Sequence, residues 1–454
     1  MVRSALAEKD IAHTLHPYTA LHQHAERGPH IITRGEGIYV WDEAGHRFIE
    51  GLSGLWCTGL GYSEPRLIEA ASRQLHALPF GHSFVHRACA PTIELAEKLI
   101  GLAPDGLDRA FFVNSGSEAN DTAVKFVWYY NNALGRREKK KIIAHRRAYH
   151  GVTVASASLS GLSKMHQEFD LPLDRFLHVS PPHFYSEGRP GETEAAFVER
   201  LASELDQRIQ DEGAETVAAF IGEPVMGAGG AILPPRAYYP AIQQVLKKHE
   251  VLMIADEVVT GLGRTGQMWG SQTFGIEPDV LITAKQLSSA YLPIGAVLIS
   301  DTMYRAFVEN SAKLGQFGTG HTYGGHPVAA AVALEVLNIY EDRDLLSHIR
   351  RMAEPFAVRM RELGEHPLVG EARSVGLIGA VELIDERTDA PFDAHHRAAH
   401  LVNDITTKNG LFLRALTNEI VAVCPPVIVT EEEIHLIFDT LKRALDEALQ
   451  QLRS

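Results

Sequence analysis

A chain of 454 residues with 45% hydrophobic side chains has the length for two or three domains and can bury a large core. Its 43 Lys and Arg against 57 Asp and Glu leave a formal charge of −14, which argues against a nucleic-acid footprint and against attraction to an anionic membrane, so small molecules are the expected partners. Three cysteines (Cys57, Cys89, Cys424) without C-x-x-C spacing, no apolar core of signal-peptide length and no apolar stretch of membrane-span length lead to an expected cytoplasmic location.

At the N-terminus His13, His16, His22 and His24 are dense, yet no further ligand is identifiable from sequence and no metal is expected; the same holds for His396 and His400 on one helical face. "GIYVWDEAGHRFIEGLSGLW" then reads as short alternating strands around an Asp-Glu-Ala-Gly turn, and residues 1–60 are expected to pack with a C-terminal unit. From about residue 110 to 300 the chain repeats a short apolar run, a polar or glycine-rich turn and often a helical pattern. The runs in "RAFFVNSGSE", "KKIIAHRRAYHG", "VAAFIGEP", "VLMIADE", "DVLITAK" and "IGAVLIS" mostly lack alternation, as strands covered on both faces do. An α/β fold with a mostly parallel central sheet follows for a large domain, residues 61–326. "RREKKK" at 136 to 141 reads as a solvated turn. Beyond "GGHP" come a long helix, further strands and a terminal amphipathic helix, a smaller α+β domain over residues 327–454.

In open α/β sheets ligands bind beyond the carboxyl ends of the strands, which selects Ser115, Gly116, Ser117, Tyr149, Glu223, Asp256 and Lys285. "NSGSEAND" ends a strand in a Ser-Gly-Ser turn and opens a helix at about Ser117, directing free backbone N–H groups and the helix dipole at one spot, as a phosphate requires; alone it would read as a plain serine cap. "GLGRTG" at 261 to 266 matches a dinucleotide fingerprint in letters only. Five residues separate it from the strand, and the glycine-rich "QMWGSQTFGIEPD" after it cannot be a crossover helix. The message of that stretch is Asp256. Alone it could be a cap or a buried partner of an amide; beside Lys285, which follows the next strand, it suits a cofactor whose ring nitrogen is kept protonated and whose aldehyde takes an amine as a Schiff base.

"NSGSE", "YHG", "GEP", "DEVVTGLGRTG", "TAKQLSSAYLPIGAV" and "HTYGGHP" resemble, in order and spacing, the class III aminotransferases of pyridoxal phosphate fold type I, from "LHPYTALHQH" to "VAVCPPVIVT". The likeness is greatest to the ω-transaminases, the amine:pyruvate or (S)-selective amine transaminases. The resemblance implies pyridoxal 5'-phosphate as cofactor. Lys285 would link to it and shuttle the proton, Asp256 would pair with the pyridine nitrogen, and Val258 and Tyr149 would cover the two ring faces. Ser115, Gly116 and Ser117 would hold the phosphate with Thr322 of the opposite subunit, making the active unit a homodimer, and Glu223 would support the ring's polar edge. Arg414 in "FLRAL" matches the arginine that recognises a substrate carboxylate, and Trp56 in "SGLWC" matches a pocket wall. Ala228 stands where relatives acting on ornithine or 4-aminobutyrate carry a Glu that pairs with that arginine. Gln286 replaces a common Gly after the lysine, and Gly81 and His82 replace an aromatic or polar lining, leaving pocket size open.

The implied activity is a ping-pong transfer of an amino group from a primary amine or ω-amino acid to pyruvate or a similar keto acid or aldehyde. A β-alanine or taurine:pyruvate aminotransferase is the nearest alternative. Decarboxylase or aminomutase chemistry on the same fold, and a binding protein that has lost catalysis, rank lower. His150, beside Tyr149, reads as a hydrogen-bonded structural residue.

Overall fold

The computed structural model describes residues 3–388, 390–392 and 397–453, so that His396 lies outside the described residues. At its centre is a seven-stranded sheet in the order Arg109–Val113, Gly295–Ile299, Val280–Thr283, Leu252–Asp256, Val217–Gly222, Lys141–His145 and Phe176–Val179. Every residue of Val217–Gly222, Val280–Thr283 and Gly295–Ile299 is buried, which accounts for the unalternating apolar runs. Gly295–Ile299 alone is reversed, antiparallel to both neighbours. A parallel partner needs a crossover of a dozen or more residues, usually with a helix, and the short connection after Thr283 holds only a single 3-10 turn at Lys285–Ser288. The same tight turn that reverses the strand displays Lys285. The carboxyl ends of the other strands, bearing Asn114, Arg146, Glu223 and Asp256, open on the same edge.

The helix Gly116–Ala133 starts one residue earlier than its turn chemistry suggests, with Ser115 Oγ accepting the Glu118 N–H at 3.2 Å. It is held on the sheet by Ala119, Ala123, Val124 and Val127, all buried. Strands Ile32–Glu36, Tyr39–Asp42 and Arg47–Glu50 form a small antiparallel sheet, and Leu411–Phe412 from the far end of the chain pairs parallel with Arg47–Glu50. A third sheet runs Val369–Val375, Ile378–Asp385, Ile420–Val423 and Arg414–Leu416; the helices Leu345–Leu363 and Ala398–Lys408 pack on it, and the terminal helix Glu431–Arg453, with Ile434, Phe438, Leu441 and Leu445 buried, packs against those two helices.

One expectation changes, and one is borne out. The 136–141 segment is not simply solvated: Lys139 is buried and its ammonium donates to the His249 and Glu250 carbonyls at 3.0 and 2.8 Å. Those carbonyls follow the C-terminus of the helix Tyr238–Lys248, whose dipole favours a cation there. The 261–266 glycines build an irregular turn, not a helix entry. Gly263 (φ +90°) leaves room for Ile349, and the buried Arg264 donates to the Pro425 carbonyl and, at 2.8 Å, to Ser53 Oγ, tying the turn to the C-terminal and N-terminal segments.

His145, at the end of its strand, is fully buried with Nε2 2.6 Å from the Tyr238 hydroxyl, and burial lowers its pKa to about 3. A histidine depressed in the folded state contributes stability above its unfolded pKa of roughly 6.5 and loses it as pH falls toward the folded value. For this one group the slope approaches about 1.4 kcal/mol per pH unit. The urea midpoint of His145→Gln, whose amide can still meet Tyr238, is therefore expected to fall less steeply than that of the wild type between pH 6.5 and 4. Parallel slopes would show that His145 carries none of the acid sensitivity.

Candidate active site

At the carboxyl edge of the large sheet lies a cavity of about 300 Å³. It gathers Ser115, Gly116, Ser117, Tyr149, Glu223, Asp256, Val258 and Lys285, together with Asn120 and His150. One end is the N-terminus of the helix Gly116–Ala133, where unpaired backbone donors and the dipole favour an anion. Ser117 Oγ accepts the Val152 N–H at 3.1 Å, which fixes the facing loop. That loop turns at Gly151 (φ +130°), where a Cβ would lie 2.5 Å from Ser117 Oγ. Only glycine lets the two segments approach this closely.

Asp256 is buried at the other end, and three donors converge on its carboxylate. Asn120 Nδ2 (3.0 Å) and His150 Nδ1 (2.8 Å) reach Oδ2, and the Val258 N–H reaches Oδ1 at 3.1 Å. A carboxylate only accepts, so His150 carries its proton on Nδ1. His150 is structural in the sense the sequence suggested, and its contact is with the central acid of the site. Glu257 plays a different part from its neighbour. It is buried facing away, accepting from Thr260, Gly270 N–H and Ser271, and holds the 257–271 turn together. Glu223 accepts the Tyr149 N–H at 2.9 Å and the Gly227 N–H at 3.0 Å; burial raises its pKa to about 7.

Lys285 sits in a left-handed backbone conformation (φ +45°), and its side-chain nitrogen has no hydrogen bond or ion pair among the described residues; burial lowers its pKa. Its Nζ lies 5.7 Å from the ring centroid of Trp56, and the Arg414 guanidinium carbon lies 5.3 Å from the same ring. One indole thus faces two cations, each held by the ring's negative face. Ser53 (φ +52°) and Trp56 (φ +58°) are non-glycine residues in the left-handed region, a strained loop of the kind that clusters at functional sites. Among the described residues no carboxylate pairs with Arg414; burial lowers its pKa, and Tyr149 and Tyr18 act on it in the opposite direction. Burial, then Tyr18, raises the pKa of the Tyr149 phenol.

Trp56 and Arg414 therefore adjoin the cavity, whereas Ala228, Thr322, Gly81 and His82 do not line it. Thr322 is exposed. Gln286 donates to the Gly261 and Leu262 carbonyls at 3.2 and 3.0 Å, and its Oε1 occupies the space a Cβ on Gly59 would need. Reading the sequence misses Asn120 and Tyr18 as site residues. Asn120 lies one helical turn beyond Gly116, a spacing that brings it to the same face. Tyr18 has no local signal, since it reaches the site from the far N-terminus.

Comparison with known proteins agrees with this geometry. Residues 21–445 match the family model for class-III aminotransferases. A γ-aminobutyrate transaminase 1, mitochondrial, of rice (Oryza sativa subsp. japonica) is 46% identical over 445 residues, covering 97% of this chain and 86% of the relative. A corresponding tomato protein (Solanum lycopersicum) is also 46% identical, over 97% of this chain and 86% of its own length. Among solved structures, an ω-transaminase from Pseudomonas jessenii in complex with PMP superposes with a TM-score of 0.97 at 52% identity, covering 99% of both chains. With a matching family model over most of its length, relatives of this identity and a sheet edge built in this way, the chain belongs to the class III aminotransferases, fold type I enzymes that use pyridoxal phosphate.

Proposed function

We propose that the enzyme is an ω-transaminase that takes nitrogen from a primary amine or ω-amino acid and delivers it to pyruvate or a similar keto acid or aldehyde, in two half-reactions at one site. The cavity suits pyridoxal phosphate: an anion-binding helix start closed by Gly151, a fixed carboxylate opposite it, and between them a lysine with no hydrogen-bonded or ion-paired partner for its amine among the described residues. When bound, the cofactor supplies an aldehyde that condenses with amines and a ring that accepts electron density. Gly116, Ser117 and the helix N-terminus would hold its phosphate, with Ser115 capping the helix. Asp256, oriented by Asn120, His150 and the Val258 N–H, would keep the ring nitrogen protonated. Val258 and Tyr149 would cover the ring, and Glu223 would face its polar edge. Lys285 Nζ would anchor the cofactor and carry the proton to and from the amine-bearing carbon, and its lowered pKa favours the free base this work needs. Thr322, exposed on its own chain and outside its own cavity, is assigned to the neighbouring site of a homodimer.

The observation that carries the substrate class is Arg414, unpaired beside Trp56. A free guanidinium beside the cavity can take a carboxylate by two parallel hydrogen bonds, and no acidic side chain among the described residues competes for it. A charged hydrogen-bonded contact contributes about 1.5 to 3 kcal/mol, so Arg414→Ala should weaken productive capture of pyruvate roughly 10- to 150-fold. β-Alanine and 4-aminobutyrate, the latter the compound named for the plant relatives, carry the same carboxylate and should suffer with it. The half-reaction with 1-phenylethylamine, which has none, should change little. Equal losses for all donors would assign Arg414 to the fold and remove the basis for this substrate class.

A further inference from the structure

We propose that Asp10, His16 and His24 form a binding site for one divalent transition-metal ion of the zinc type, and that the ion clamps together the two N-terminal helices and the segment between them that bears Tyr18. The three residues come from three pieces of chain: Asp10 from the helix Ala5–His13, His24 from the helix Leu21–Arg27, and His16 from the segment joining them. Both Nε2 atoms converge on one carboxylate, His16 at 3.0 and 2.9 Å from its two oxygens and His24 at 2.9 Å from Oδ2. The two imidazoles lie 3.9 Å apart between centroids, tilted by 32°. All three ligand atoms fall within 4.8 Å of one another.

Two imidazole nitrogens and a carboxylate are a zinc donor set, and bonds of about 2.0 to 2.2 Å in tetrahedral geometry place ligand atoms roughly 3.3 to 3.6 Å apart. Small side-chain shifts therefore suffice. One cation would take the place of the two Nε2 protons, and it would relieve the close approach of two rings that otherwise compete for one carboxylate. The side chains keep 21%, 28% and 11% of their surface for Asp10, His16 and His24, enough for an ion to enter and for water to fill the remaining position. A second group, His183 with Glu371 and Glu382, lacks this opportunity. The Arg373 guanidinium already bonds both of its carboxylates, so a cation is already seated on the oxygens that face His183.

The position gives the site a consequence. Tyr18 stands two residues beyond His16 in a left-handed conformation (φ +52°), inside the loop that the three ligands close. A cation bridging residues 10, 16 and 24 closes the loop that presents Tyr18, and such closure restricts the segment's other conformations.

The test is calorimetric titration of Zn²⁺ into the chelator-washed holoenzyme, alongside Asp10→Asn, His24→Gln and, as a control, His183→Gln. Wild type and His183→Gln should bind one more ion per chain than Asp10→Asn and His24→Gln, or bind it at least about tenfold more tightly. Identical isotherms for all four proteins, or no binding by the wild type, would overturn the site. Co²⁺ absorption of His16→Gln, which should lose the wild-type visible band, covers the case of a variant that fails to fold. Trypsin cleavage after Lys9 and Arg27 should slow with Zn²⁺ in the wild type and not in His24→Gln. Bound metal with unchanged cleavage would overturn the clamp.

Discussion

Replacing Lys285 with alanine is expected to abolish nearly all turnover, by at least about 10³-fold, because on the proposed assignment the substitution would remove both the covalent anchor and the proton carrier. The cavity lining contains no second lysine among the described residues, and Arg414, the other cation beside Trp56, cannot give up its proton at any working pH. Its backbone position is equally specific, since the 3-10 turn at Lys285–Ser288 aims the side chain between Asp256 and Trp56. Cofactor binding should survive in part, because Gly116, Ser117 and the helix N-terminus remain. Borohydride reduction followed by mass spectrometry should fix the cofactor to the wild-type chain and not to Lys285→Ala. An added small primary amine should restore a fraction of the rate. A variant that transaminates near the wild-type rate would show that another residue carries the proton.

The sequence is most informative where chemistry follows a strand. Asp256, Glu223 and Lys285 announce themselves because each polar residue ends a run buried on both faces, where an unpaired charge would be costly. The glycine pattern at 261–266 is rejected correctly by its distance from the strand, and its actual use, to let Ile349 and Arg264 tie distant segments together, depends on packing that no local pattern carries. The contacts that tune the site are less legible. Asn120 and His150 meet at Asp256 from a helix and a loop 30 residues apart, and Tyr18 arrives from the N-terminus. Lys139 illustrates the opposite error: a charge run suggests solvent until two carbonyls at a helix end are placed above it. Asp10 as the partner of His16 and His24 is hidden for the same reason, because the two helices must fold together before the three side chains meet.

Asp256→Asn should slow chemistry far more than binding. The carboxylate accepts from Asn120, His150 and the Val258 N–H, so in an asparagine the new NH₂ must face at least one donor. His150 can relieve part of that conflict by moving its proton from Nδ1 to Nε2, which is buried and has no partner among the described residues. The loss of charge has no such remedy. On the proposed assignment the ring nitrogen would no longer be held protonated without the anion, and the negative charge left once Lys285 had taken the substrate proton would lose its stabilisation. Truncating one partner of a buried, hydrogen-bonded charge pair costs about 2 to 5 kcal/mol, which places the fall in the single-turnover rate at roughly 30- to 5,000-fold. Cofactor retention measured after dialysis should drop much less, since the phosphate end of the site is untouched. Asp256→Glu keeps the charge but pushes the carboxyl one methylene deeper into the cavity, and should recover protonation while losing alignment, so its rate should fall between those of wild type and Asp256→Asn. Unchanged single-turnover rates in Asp256→Asn would mean that the carboxylate serves only to cap its own turn through the Val258 N–H.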